Sequence, residues 1–134
     1  MRNRQLLPYR ERIVSGAQGR VLEIGVGAGL NLPFYRASVS EIIGLDPSPR
    51  LIDMARQHVV DTTPPVSFVE GSAEAIPLED RSVDSVLTTW TLCSIPGVLL
   101  ALAEMRRVLR PGGSCSSSST GWRRIRPSAC GRTG

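Results

Sequence analysis

"LEIGVGAGL", residues 22–30, places glycine at 25, 27 and 29 directly behind a short apolar run. Reading outward, "RVLEIGV" has the look of a buried parallel strand that stops at glycine. "LNLPFYR" then opens a helical stretch with Pro33 near its first turn, where a missing N–H costs little. "EIIGLDPS" reads as a second strand ending at Asp46. "PSPRLIDMARQHVV" reads as a helix, with Leu51, Met54, Ala55 and Val59 at three- and four-residue spacing. "VSFVEG" and "SVDSVLTTW" supply a third and a fourth strand. "GVLLALAEMRRVLRPGG" is an amphipathic helix halted by Pro-Gly-Gly. Upstream, residues 5–15 can form a short helix with Leu6, Tyr9 and Ile13 near one face.

Strands alternating with helices predict an α/β fold, a parallel sheet of about four strands with flanking helices. In such sheets ligands sit at the carboxyl ends of the strands. The glycines and Asp46 both fall there.

The 134 residues suffice for one domain with a real core but not for two. With 41% hydrophobic and 21% charged residues, the composition is that of a soluble globular chain. The longest aliphatic run, "VLLALA" at 98–103, is far too short to span a bilayer. "MRNRQLLPYRER" lacks the apolar centre of a signal peptide, so the expected location is cytoplasmic, with no membrane partner. Cys93, Cys115 and Cys130 show neither metal-ligand spacing nor a disulfide framework.

The net charge of +4 suggests nucleic acid until its placement is examined. All sixteen basic residues are Arg, and residues 1–113 hold twelve of them together with all twelve acids. The excess is therefore confined to Arg123, Arg124, Arg126 and Arg132 near the C-terminus. No basic domain face results, and a nucleic-acid partner is not expected.

Glycine loops serve several ligands, and the neighbouring residues discriminate among them. A phosphate loop needs Gly-Lys-Ser/Thr so that an ammonium can reach the phosphates. This chain has no Lys, which excludes that reading. A dinucleotide fold wants G-x-G-x-x-G, and Leu30 stands where the third glycine belongs. The pattern present is acid-x-G-x-G-x-G: Glu23, Gly25, Gly27, Gly29.

That pattern resembles the first motif of the class I S-adenosylmethionine-dependent methyltransferases, and further segments agree with the family in order. Asp46 matches the acid that binds the two ribose hydroxyls, a task suited to a carboxylate because it accepts two hydrogen bonds at once. "GSAEAIPL" (71–78) matches the loop along the adenine, and "VDSVLTTWTLCSIPG" the fourth strand and the loop facing the methionine end. "EMRRVLRPGG" (104–113) matches the helix and turn that lead to a fifth strand. "GLNLPFY" and "WTLCSIP" are similar to a small-molecule branch, near ubiquinone-biosynthesis-like and thiol methyltransferase-like proteins.

The resemblance implies a Rossmann-like core at 20–113, behind an N-terminal helical segment at 1–19, with S-adenosyl-L-methionine as cofactor and a small-molecule methyl acceptor. It implies cofactor contacts from Glu23, Gly25, Val26, Gly27, Gly29, Asp46, Pro47, Ser72, Ala73, Glu74 and Thr89. Glu23 is expected to favour the cofactor's amino group, and Ser72 stands where the family often has Asp. Glu74 reads equally well as a solvated loop charge, and Trp90 as core. Cys93 reads as a small hydrophobe beside the substrate entrance, and His58 as a solvated helix-end residue. No residue stands out as a general base. The alternative reading is a cofactor-binding remnant that methylates nothing.

After Pro-Gly-Gly the pattern breaks. "SCSSSSTGWRRIRPSACGRTG" opens with five Ser in six residues and shows neither a strand nor a helix period. Residues 114–134 are therefore expected to be an irregular Ser/Arg-rich tail in place of the C-terminal strands. A one-base slip of the reading frame accounts for the break. Serine codons of the TCN type shift to apolar codons, and those for Trp122 and Cys130 contribute Leu, Val or Met. A disordered tail and a divergent C-terminus are the other readings. Without a fifth strand, "SVLTTW" is expected to be an edge open to pairing with another chain.

Overall fold

Strands β1 (Gly19–Ile24), β2 (Val39–Asp46), β3 (Val66–Glu70), β4 (Val83–Thr88), β5 (Leu109–Ser117) and β6 (Gly121–Arg124) form one sheet in the order β3-β2-β1-β4-β5-β6. The first five run parallel, and β6 returns antiparallel to β5. These are the features of a computed structural model, which describes residues 14, 16–26, 29, 31–35, 37–59, 64–88, 97–117 and 121–124.

Two helices complete the described core, α1 at Pro49–Arg56 and α2 at Val98–Val108, with a 3-10 turn at Leu32–Phe34. The Ser48 hydroxyl caps α1 by accepting from the Leu51 amide at 3.3 Å, and Pro49 follows in the first turn. Helix α2 ends at Val108, before Pro111 rather than at it. The helix expected at 5–15 lies almost wholly outside the described residues.

Both faces of the sheet carry an apolar layer, as a parallel sheet requires. On one face Leu22, Ile24, Ile43 and Leu45 pack with Ala101, Met105 and Val108 of α2. On the other, Val21 and Ile42 pack with Leu32, Tyr35 and Ala55 of α1. The period of two along β1 thus sends Leu22 and Ile24 to one layer and Val21 to the other. Glu23 shares the face of Val21, inside the second layer.

The α/β fold is as the sequence implies, but the strand count is higher. The sheet has five parallel strands rather than four, and the segment from Ser114 enters it rather than trailing off. Ser114, Cys115 and Ser116 pair with Ser85, Val86 and Leu87, so β4 is interior and not the edge the sequence suggested. Pairing uses backbone groups that serine carries as well as any residue, and the exposed flank of β4 supplies the template. Pro-Gly-Gly falls in a bulge, where Val83 and Ser85 of β4 face Leu109 and Ser114 of β5.

Candidate functional site

Strand order reverses at β1, since β2 lies on one side of it and β4 on the other. The crevice beyond the carboxyl ends of β1 and β4 is where an open parallel sheet holds ligands. Register aligns the strand ends there, with Ile24 beside both Leu45 and Thr88, and Asp46 beside Glu70.

The glycine loop leaves β1 by bending over β2. The Leu45 carbonyl accepts from the Gly25 amide at 2.8 Å and from the Val26 amide at 3.1 Å. Gly25 takes φ +71° and Gly29 φ +80°, conformations that a side chain disfavours. A Cβ on Gly29 would also lie 2.9 Å from the Ala55 backbone, so the loop rests directly on α1. The Val26 side chain is buried in the second apolar layer. Gly27 lies outside the described residues.

Asp46 comes one residue after Leu45 and is 5% exposed. Its Oδ1 accepts from the Ser48 amide at 2.9 Å, which fixes the carboxylate at the mouth of β2. Pro47 beside it is exposed. The glycine loop and Asp46 thus meet at Leu45, whose carbonyl holds the start of the loop.

The third loop, residues 71–78 after β3, is tied down more firmly than the sequence suggests. The Ser72 hydroxyl accepts from the Glu74 amide at 3.1 Å, and Ala73 packs into the first apolar layer. Glu74 is not a free solvated charge. Its Oε2 accepts from the Gly97 amide at 2.5 Å, at the start of α2, where the helix dipole favours an anion. Arg107 of α2 donates to the carbonyls of Ile76 and Leu78, at 2.7 and 2.9 Å, and to Asp80 and Glu104. Glu104 accepts in turn from the Ile76 amide at 2.8 Å. Hydrogen bonding from Arg107 holds the Glu104 carboxyl below its ordinary value.

Glu23 is 1% exposed. Tyr35 OH donates to its Oε1 and Asn31 Nδ2 to its Oε2, each at 2.9 Å. Burial, with the Glu23 charge beside it, pushes the Tyr35 hydroxyl well above its ordinary range, so it stays protonated as a donor. Neither Asn31 nor Tyr35 stands out in the sequence as a site residue. The available signal was two polar groups in the otherwise apolar "LNLPFY" behind a buried-strand acid.

Thr89, Trp90 and Cys93 lie outside the described residues. The His58 Nδ1 sits 3.3 Å from the Met54 carbonyl at the end of α1, away from the strand ends. At the amino end of the sheet a polar cleft of about 440 Å³ is lined by Gly19, Asp84, Ser85, Arg110 and Gly113, among others. Its polar groups answer one another. Arg110 pairs with Asp84 at 3.0 Å, and the Ser85 hydroxyl donates to the Gln18 carbonyl at 2.9 Å.

Residues 22–117 match a family model described as a methyltransferase domain. The chain is 33% identical over 102 residues to a phosphatidylethanolamine N-methyltransferase of Cereibacter sphaeroides, covering 75% of this chain and 50% of the relative. It is 37% identical over 97 residues to a demethylmenaquinone methyltransferase of Deinococcus radiodurans, covering 70% and 40%. The YcgJ protein of Bacillus subtilis superposes with a TM-score of 0.69 at 30% identity, covering 75% of this chain and 44% of that one. The chain thus spans half or less of the length of each of these proteins.

Proposed function

Because the chain belongs to the methyltransferase domain family, we propose that it holds S-adenosylmethionine on the glycine loop and directs its methyl group to a small-molecule acceptor. The observation that carries the reading is the meeting of the Gly25–Gly29 loop with Asp46 beyond the ends of β1 and β2, coupled through Leu45.

The residues present fit this cofactor. It carries no phosphate, which suits a loop without Lys. Backbone at Gly25 and Gly29 can lie under a ribose and methionine with no Cβ in the way. Asp46, held by the Ser48 amide, is placed to accept from a pair of vicinal hydroxyls. The Ser72–Ala73 turn is pinned to α2 through Glu74 and Arg107, and we assign it to the side of the base.

When bound, the cofactor supplies an electrophilic methyl group on a sulfonium, which needs little activation beyond alignment. The chain's task is therefore to hold donor and acceptor in line and to exclude water, effects that together reach roughly 7–11 kcal/mol in favourable cases. Leu99 and Leu100 bear on the acceptor. They are 79% and 61% exposed on the first turn of α2, at the same end of the sheet as the loop. This supports an acceptor with an apolar body. Phosphatidylethanolamine and demethylmenaquinone, named for two relatives, have such bodies. Among the described residues no helix is long and apolar enough to cross a membrane, and the setting we assign is cytoplasmic.

Titration calorimetry with S-adenosylhomocysteine and with NAD tests the reading. Binding of the first and not of the second is expected, and preference for NAD would reject it. Formation of S-adenosylhomocysteine from added S-adenosylmethionine, dependent on an amphiphilic acceptor, then separates an enzyme from a binding remnant.

A further inference from the structure

Glu23 sits on β1 two residues before Gly25, while Asn31 lies two residues after Gly29 and Tyr35 closes the 3-10 turn. One carboxylate therefore receives hydrogen bonds from the far side of the glycine loop while belonging to its near side. All three residues are buried, at 1%, 2% and 5% exposure for Glu23, Asn31 and Tyr35. A carboxylate so deep is costly unless its oxygens are occupied, so the arrangement is strongly specified. The loop between the two flanks has two glycines in left-handed conformation and little intrinsic preference for one shape.

We propose that Tyr35 and Asn31 are positioning residues for the cofactor, acting through Glu23: together they clamp both flanks of the glycine loop to one buried carboxylate and preset the loop for binding. This rests on the reading of that loop as the cofactor site. In this arrangement Glu23 serves the ligand by shaping the loop, and the Tyr35 hydroxyl contributes to affinity without touching the ligand. Preset geometry raises affinity because a loop already in its bound shape loses less freedom on binding.

The test is a double-mutant cycle of Tyr35→Phe and Glu23→Leu, read by calorimetric affinity for S-adenosylhomocysteine at a temperature where circular dichroism shows each variant folded. Tyr35→Phe is expected to weaken binding about tenfold, as befits a hydrogen bond to a charged group. In the Glu23→Leu background, which has no acceptor for either donor, the same change is expected to cost less than about twofold, since the clamp is already broken. A purely structural role would lower the melting temperature and leave affinity in the folded protein unchanged, which would overturn the proposal. Independent, multiplying losses would also overturn it. Should Tyr35→Phe not fold, Asn31→Ser, which keeps a donor of shorter reach, is read in the same cycle. A wild-type chain that binds no S-adenosylhomocysteine overturns the site reading and the clamp together. A binding wild type with an unaffected Tyr35→Phe overturns the clamp alone.

Discussion

Gly29 lies against Ala55 so closely that a Cβ on the glycine would stand 2.9 Å from the Ala55 backbone. The contact joins the glycine loop to α1, the helix that begins just beyond Asp46. Gly29→Ala therefore meets two penalties, a left-handed φ of +80° and a clash with backbone that cannot turn aside. A loss of about 3 kcal/mol is expected, together with weakened S-adenosylhomocysteine binding. Gly112→Ala is the matched control, because φ is +84° there while nothing lies within 4 Å of the added Cβ. It is expected to cost about 1 kcal/mol and to leave binding unchanged. Urea titration of both variants measures the difference, and equal losses would show that the loop does not rest on α1.

Asp46 does two things that one substitution can separate. Its Oδ1 accepts from the Ser48 amide, and it ends β2, where the ribose is proposed to lie. Asp46→Asn keeps an acceptor for Ser48 but gives up the charge and one acceptor oxygen. The melting temperature is expected to stay within a few degrees, while S-adenosylhomocysteine affinity falls about tenfold or more. A fall in stability with unchanged affinity would make Asp46 a turn residue only.

Glu104 and Arg107 set an acid limit on the third loop. The Glu104 carboxyl is held below its ordinary value of 4.5, first by hydrogen bonding from Arg107. A carboxyl depressed in the folded state adds stability that is complete above its unfolded value and is lost as pH falls through its folded value. Wild-type protein is thus expected to lose part of its stability as pH drops below about 4.5. Glu104→Gln is expected to flatten that limb and to be less stable than wild type at pH 7. Arg107→Ala removes the donor to the Ile76 and Leu78 carbonyls as well, and is expected to cost about 2 kcal/mol at neutral pH. Thermal melts from pH 3 to pH 7 compare the three, and parallel acid limbs would contradict the assignment.

The sequence discloses strands where burial imposes a pattern, and conceals them where it does not. β1, β2 and β4 are buried on both faces and read as apolar runs. β5 beyond Pro111 carries no such run, because Ser114 and Ser116 hold their places through backbone pairing with β4. The same distinction divides the site. Gly25 and Asp46 announce themselves because turn geometry and ligand chemistry allow few alternatives. Asn31, Tyr35, Glu74 and Arg107 act through contacts between segments distant in sequence or folded back on one another, which no local period encodes.

Cys115 leads to a prediction about the gene. It packs half-buried against the first apolar layer beside Val86, where a thiol fills less space than a branched apolar chain. Serine surrounds it, and the match to the family model stops at residue 117. A one-base slip near the codon for Gly113 would turn serine codons of the TCN type into apolar ones and so put an apolar strand at this position. Sequencing the DNA across codons 111–122 is expected to show that apolar strand in the neighbouring frame, open downstream. In that event β5 in its present form is a makeshift, and Ser114–Ser117 amides should exchange with solvent well before those of β1. A sound frame with slow exchange at Ser114–Ser117 would show instead that this sheet accepts a serine strand next to β4 on backbone bonding alone.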